Sequence, residues 1–114
     1  FDTEFGPVIG FENHSGRPYL GKGAAPLGKM VSGYGNNGRD GTEGVHYKNT
    51  FCTYSHGPVL PKNPALADKL IETAMRRRDP SFVLTPLDDS AEDFARDQVE
   101  RLYIHQQSGK KHKK

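Results

Sequence analysis

Cys52 and His56 are the two residues here whose types could do covalent chemistry together, because an imidazole can take a thiol proton and the thiolate can then attack a carbonyl carbon. Their spacing argues against the pairing. If residues 50–56 run as one strand, residues four apart share a face but lie about 13 Å apart at roughly 3.3 Å per residue, beyond hydrogen-bond reach. Cys52 is therefore expected as a small buried core residue. It is the one cysteine of the chain, cannot pair within it, and points to a reducing compartment. Ser55 and His56 do not make a dyad, since adjacent strand residues point to opposite faces. A zinc site from His14, His46 and His56 lacks any ligand-pair spacing, and His46, His105 and His112 have no chemical neighbours in sequence. His56 stands where a β run ends and a Gly57-Pro58 turn begins, the kind of strand end at which α/β domains keep reactive groups. His14, in Glu12-Asn13-His14-Ser15-Gly16, holds a similar place. On residue type alone, a structural hydrogen-bonding role for either stands beside a catalytic one.

The elements that must position these residues fall into two halves, for 12 of the 13 glycines lie at or before Gly57. Val8-Ile9-Gly10-Phe11 reads as a strand entered through Gly6-Pro7, and a second strand is expected over 27–31. The segment 33–41 holds four glycines and two asparagines, residue types that tolerate positive φ, so a surface loop is expected. It is not a phosphate loop, because no Gly-Lys-Ser/Thr follows. Val45-His46-Tyr47, the turn pair Lys48-Asn49, and Thr50-Phe51-Cys52-Thr53-Tyr54 predict a hairpin or two adjacent strands. Beyond them Asn63-Pro64 is a cap and first-turn pair, and Leu66, Ala67, Leu70, Ile71, Ala74 and Met75 recur at spacings of three and four, the period of an amphipathic helix. Arg76, Arg77 and Arg78 form its solvated end and Asp79-Pro80 stops it. A second helix is predicted to open with Ser90 and Asp93 as a capping box and to pack through Ala91, Phe94, Ala95, Val99 and Leu102.

Length and hydrophobic content, 114 residues at 33%, suit one small domain or part of one. No apolar run approaches the roughly 18 residues needed to span a bilayer, so membrane insertion is not expected and a cytoplasmic protein is. The first residue is Phe1, so the chain is expected to begin inside a longer protein. Setting aside the four lysines of the 108–114 tail takes the formal net charge from +2 to −2, which leaves the body without a basic footprint for nucleic acid. That tail is expected to be disordered and residues 1–107 to carry the domain.

Four landmarks, in order and at sensible intervals, carry a resemblance over Val8 to about Ile71. They are Gly10-Phe11-Glu12-Asn13-His14-Ser15-Gly16-Arg17, then 33–38, then Asp40-Gly41-Thr42-Glu43-Gly44-Val45, and finally Thr53-Tyr54-Ser55-His56-Gly57-Pro58-Val59-Leu60-Pro61-Lys62-Asn63-Pro64. The sequence resembles class I glutamine amidotransferases of the cobyric-acid-synthase-like type, in particular the glutaminase subunits of lipid II isoglutaminyl synthases. The resemblance implies an α/β fold, the C-terminal portion of a three-layer, flavodoxin-like domain with strands first and two helices after. It implies glutamine as substrate, no cofactor of its own, and His56 as the catalytic histidine, a general base turned general acid for a cysteine on a strand-to-helix turn. It also implies a heterodimeric partner, a Mur-ligase-like synthetase of the MurT type, to which ATP and metal would belong.

The departures are specific. The nucleophile elbow, a Gly-x-Cys type turn, is missing from these 114 residues, so the catalytic site is expected to have no nucleophile in this chain and the chain alone to be inactive. Cys52 does not replace it, standing where relatives usually have glycine. Ser55 stands where leucine is usual and Pro18 where threonine is. Pro58 occupies the position two after the histidine at which many class I amidotransferases place a glutamate, so the group that orients His56 is expected from another loop or a partner subunit. Two alternatives remain open at this point: an amidotransferase domain of a cobyric acid or cobyrinic acid a,c-diamide synthase, and a non-catalytic interaction domain.

Overall fold

Turn chemistry recurs so often before Gly57 that no strand exceeds three residues. The computed structural model describes residues 1–105; the 108–114 tail and His112 lie outside them. Strands β1 (Asp2–Thr3), β2 (Gly6–Pro7), β3 (Phe11–Glu12), β4 (Gly28–Lys29), β5 (Thr42–Glu43), β6 (Val45–Tyr47), β7 (Thr50–Cys52) and β8 (Ser55–His56) precede helices α1 (Val59–Lys62), α2 (Pro64–Arg76) and α3 (Ser90–Val99). The last continues as a π-helical coil over Glu100–His105. Antiparallel pairing builds a four-stranded sheet in the order β2-β1-β4-β5 and two small ladders, β3-β8 and β6-β7. The chain is mixed α/β.

The hairpin expected over 45–54 forms with Val45 opposite Cys52, His46 opposite Phe51 and Tyr47 opposite Thr50, turning through Lys48 at φ 52°. It stops at Cys52. The strand pictured from Thr50 to His56 is broken at Thr53-Tyr54, and β8 joins a different ladder. Cys52 is exposed, contrary to the expected burial, for β7 ends at it and the chain beyond leaves the hairpin for a different ladder. Val8 and Ile9 are buried but are not strand residues. The backbone of Val8 pairs with Phe1, at 2.8 and 2.9 Å, and that of Ile9 with the side chain of Asn63.

Asn63 sits at the predicted N-cap of α2 and does not cap it. Its amide instead accepts the Ile9 N–H (2.8 Å) and donates to the carbonyls of Ile9 (2.7 Å) and Val59 (2.7 Å), taking the place of a neighbouring strand. Leu66, one turn on, is buried with Val8, Ile9 and Leu27. Each contributes about 1.5–3 kcal/mol by leaving water. Among the described residues the buried polar ones, Asn36, Asn37, Glu43 and Asn63, equal them in number, so side-chain hydrogen bonds organise this interior as much as apolar contact does.

The 33–41 loop has its expected positive φ at Gly33, Gly35, Gly38 and Gly41, but neither asparagine adopts it. They are buried and bond instead. Asn36 spans Thr42 Oγ1 (3.1 Å), Gly44 C=O (3.1 Å) and Gly44 N–H (2.8 Å), while Asn37 holds Pro18 C=O, the Asp40 carboxylate and the N–H groups of Arg39 and Asp40. The arginine run ends α2 as predicted, Arg76 pairing with Glu72 at 2.9 Å.

In α3 the capping box does not form. Ser90 is the first helical residue, and its N–H is taken by Asp88 Oδ1 at 3.0 Å. The predicted stripe packs only in part: Phe94 is 67% and Leu102 53% exposed. The helix is turned so that Arg96 donates to Pro7 C=O (2.8 Å) and Tyr103 meets Phe11 edge-on at 5.6 Å, which presents Val99 and Ile104 inward and Phe94 outward.

Candidate active site

The β3-β8 ladder places Phe11 opposite His56 and Glu12 opposite Ser55. Cross-strand partners share a face, so His56 and Phe11 lie on one side of the ladder and Ser55 and Glu12 on the other. Close approach of the two strands requires Gly10, where a Cβ would come 2.7 Å from that of Ser55. At the other end Gly57 turns at φ +81°, and a Cβ there would press to 2.9 Å on the Phe11 ring. The chain therefore leaves the ladder sharply after His56, whose side chain is exposed and receives no hydrogen bond from the described residues. Lys62, from α1, donates to Gly57 C=O and sits 4.7 Å over the Phe11 ring, a cation on an aromatic face.

Two concavities lie beside the ladder. Phe11, Glu12 and Ser55 form part of the wall of a cavity of about 360 Å³ that also takes in Met30, Arg96, Val99 and Tyr103. A shallower cleft of about 740 Å³ runs between the 12–17 and 34–39 segments and is lined by Glu12, His14, Arg17, Tyr34 and Arg39 among others. His56 lines neither.

Of the residues singled out in sequence, the structure brings His14 near the strand that carries His56 and takes Cys52 and His46 elsewhere. The His14 ring stacks on Tyr54 (3.8 Å between centroids, 6° between planes) and its Nδ1 is 2.8 Å from Gly16 C=O. Tyr54 lies two residues ahead of His56. His46 stacks on Phe51 at 4.4 Å and is 3.5 Å from the Glu4 carboxylate, while Cys52 belongs to that same hairpin and not to the ladder. Among the described residues no three His, Cys, Asp or Glu side chains gather as metal ligands, and no helix is long and apolar enough to cross a membrane.

Glu43, within the landmark Asp40-Gly41-Thr42-Glu43-Gly44-Val45, is buried and reaches the segment that leads into His56. Its Oε1 accepts from Thr53 Oγ1 (2.7 Å) and Tyr54 N–H (2.8 Å), while Oε2 is buried without a partner among the described residues. A glutamate among glycines, in Gly41-Thr42-Glu43-Gly44, was the available signal. Its partners lie ten and eleven residues on, beyond what local pattern shows.

Residues 2–64, the segment holding all four landmarks and the ladder, match the CobB/CobQ-like glutamine amidotransferase domain. The chain belongs to this family. Relatives within it include the GatD subunit of the glutamine-hydrolyzing lipid II isoglutaminyl synthase of Staphylococcus aureus, 49% identical over 88 residues, which are 77% of this chain and 35% of that protein. The corresponding GatD subunit of Streptococcus pneumoniae is 51% identical over 69 residues, 60% of this chain and 26% of that subunit. The family read from the landmarks is thus the chain's own, and the chain spans about a third or less of the curated relatives it matches.

Proposed function

We propose that the protein is a glutaminase subunit that releases ammonia from glutamine for a synthetase partner, and that His56 is its catalytic histidine. The observation that carries this reading is the setting of His56: an exposed imidazole, without a hydrogen-bond partner among the described residues, at the end of β8, before a glycine-dependent turn, inside the segment that matches the amidotransferase family. An imidazole so placed can take a proton from one group and return it to another. The cysteine nucleophile would come from outside these 114 residues, and its thiolate would attack the side-chain amide carbon of glutamine. His56 would first take the thiol proton and then deliver it to the departing ammonia, after which water hydrolyses the thioester.

The relatives' names favour one acceptor. The ammonia would pass to a Mur-ligase-like synthetase of the MurT type, which would use ATP to amidate the D-glutamate of lipid II in the cytoplasm during peptidoglycan synthesis. In this reading residues 1–107 complete a three-layer, flavodoxin-like domain and 108–114 are a basic tail. The family description alone would equally suit a cobyric acid or cobyrinic acid a,c-diamide synthase; the identity of about half to two GatD subunits favours lipid II.

The test is His56→Ala in the complete protein with its synthetase. Glutamine-dependent amidation should fall roughly 10² to 10⁴-fold, while amidation driven by ammonium salt should survive, because His56 acts only where ammonia is made. Equal loss with both nitrogen sources would identify a structural residue, and unchanged glutamine-dependent activity would end the catalytic assignment. Either result would revive the interaction-domain alternative.

A further inference from the structure

We infer that Glu43 is a positioning residue for His56, acting through the backbone of Thr53 to Ser55, an inference that rests on the catalytic reading of His56. A ladder of two residues per strand has little hold on its own position. What fixes β8 lies just before it. Glu43 Oε1 accepts both Thr53 Oγ1 and Tyr54 N–H, and Thr53 Oγ1 in turn accepts Ser55 N–H at 3.0 Å. A hydroxyl that gives its proton to a carboxylate has its lone pairs free for an incoming N–H. The two N–H groups that precede His56 therefore end, directly or through one hydroxyl, on a single oxygen.

That oxygen is itself held. Glu43 is 1% exposed, and Asn36 brackets it on both sides through Thr42 and Gly44. The other strand of the ladder is tied to the same loop, because Glu12 Oε2 and Oε1 accept the N–H groups of Tyr34 (2.9 Å) and Gly35 (2.5 Å). Both strands under His56 and Phe11 are thus clipped to the 33–44 segment, one by each glutamate. A buried carboxyl group whose Oε2 has no partner among the described residues is a poor choice for stability alone. An apolar side chain would fill the space but leave Thr53 and Tyr54 without an acceptor.

The experiment uses the complete protein with its synthetase and compares Glu43→Ala, Glu43→Asp and Glu43→Gln, alone and with His56→Ala. Glu43→Ala should lower the glutamine-dependent kcat about 10²-fold, the scale of a misplacement near 1 Å, with little change in KM for glutamine and none in the ammonium-driven rate. Glu43→Asp, which withdraws the carboxylate by one methylene, should show an intermediate loss and keeps the test open if the alanine variant does not fold. Glu43→Gln retains an oxygen able to accept both bonds and should recover most of the rate. In the His56→Ala background Glu43→Ala should cost nothing more. Loss of glutamine- and ammonium-driven rates in parallel, an undiminished glutamine-dependent rate in Glu43→Ala, or a full additional loss on top of His56→Ala would overturn the inference. Full glutamine-dependent activity in His56→Ala alone would instead sink the catalytic reading beneath it, whatever the Glu43 variants do.

Discussion

Replacing Asn63 by serine separates two roles that the sequence cannot distinguish. An N-cap asparagine gives way to serine with a change of a few tenths of a kcal/mol, and to alanine with a loss of about 1 kcal/mol. The structure makes Asn63 a clamp on Ile9 instead, and a serine hydroxyl is too short to reach that backbone. Both variants would strand the Ile9 N–H and C=O, whose bonds to Asn63 are both buried. At about 1–3 kcal/mol for each unsatisfied buried group, the two come to roughly 4 kcal/mol. The Val59 carbonyl, at the start of an exposed helix, can turn to solvent and adds little. Set against a domain stability of about 5–15 kcal/mol, this is a large share. Urea unfolding of the complete protein would read it as a midpoint lowered by on the order of 1–2 M at a typical slope. The reasoning fails if serine matches wild type within about 0.5 kcal/mol while alanine loses about 1, the signature of an ordinary cap.

Gly44→Ala should destabilise by more than about 2 kcal/mol, since the new Cβ at φ +64° would lie 2.1 Å from Cys52 C=O, whereas Gly41→Ala, at φ +70° with nothing within 4 Å, should lose only about 1–2 kcal/mol from conformation; thermal melts of the pair would show the difference. Cys52 should react with a thiol reagent in the native protein, and Cys52→Ala should leave glutamate release by the complete protein unchanged; release by the 114-residue chain that depended on Cys52 would contradict the proposed chemistry. Hydrogen bonds from the Thr42 hydroxyl, the Asn37 amide and the Thr42 N–H hold the Asp40 carboxyl below its ordinary value of 3.8. A depressed folded pKa means that this group favours the folded loop above its unfolded pKa and that the contribution is lost as pH falls through the lower folded value. An NMR titration should therefore place its midpoint below 3.8, moving upward in Thr42→Val.

The hairpin and the first long helix were legible because their signals are local: a two-residue turn between β-forming runs, and a three-four period behind a cap-like Asn63-Pro64. What escaped depended on partners distant in sequence. Val8 and Ile9 looked like strand and are buried, but Ile9 finds its hydrogen bonds on a side chain 54 residues away. The strand expected through Cys52 to His56 is broken where Glu43 captures Thr53 and Tyr54, and with the break went the expected burial of Cys52. The stripe on α3 has a genuine period, but period names a face and not its direction. Arg96 on Pro7 and Tyr103 on Phe11 decide that Phe94 points outward. His56 was picked out by its place at a strand end; the carboxylate that ties down its strand could be found only in three dimensions.

Glycine-rich sequence is usually a mark of mobility, yet the 33–44 segment is cross-linked at nearly every step. The N–H groups of Tyr34 and Gly35 end on Glu12, that of Asn36 on Thr42 C=O, that of Gly44 on Asn36, and that of Tyr54 on Glu43. None of these bonds can open far without loosening its neighbours, so the five amides should exchange with deuterium as one unit, sharing an opening free energy well above that of an ordinary surface loop. Any ligand that pulls on exposed Tyr34 would then change exchange at Tyr54, on the strand leading to His56, and the loop would behave as a stiff lever and not as a tether.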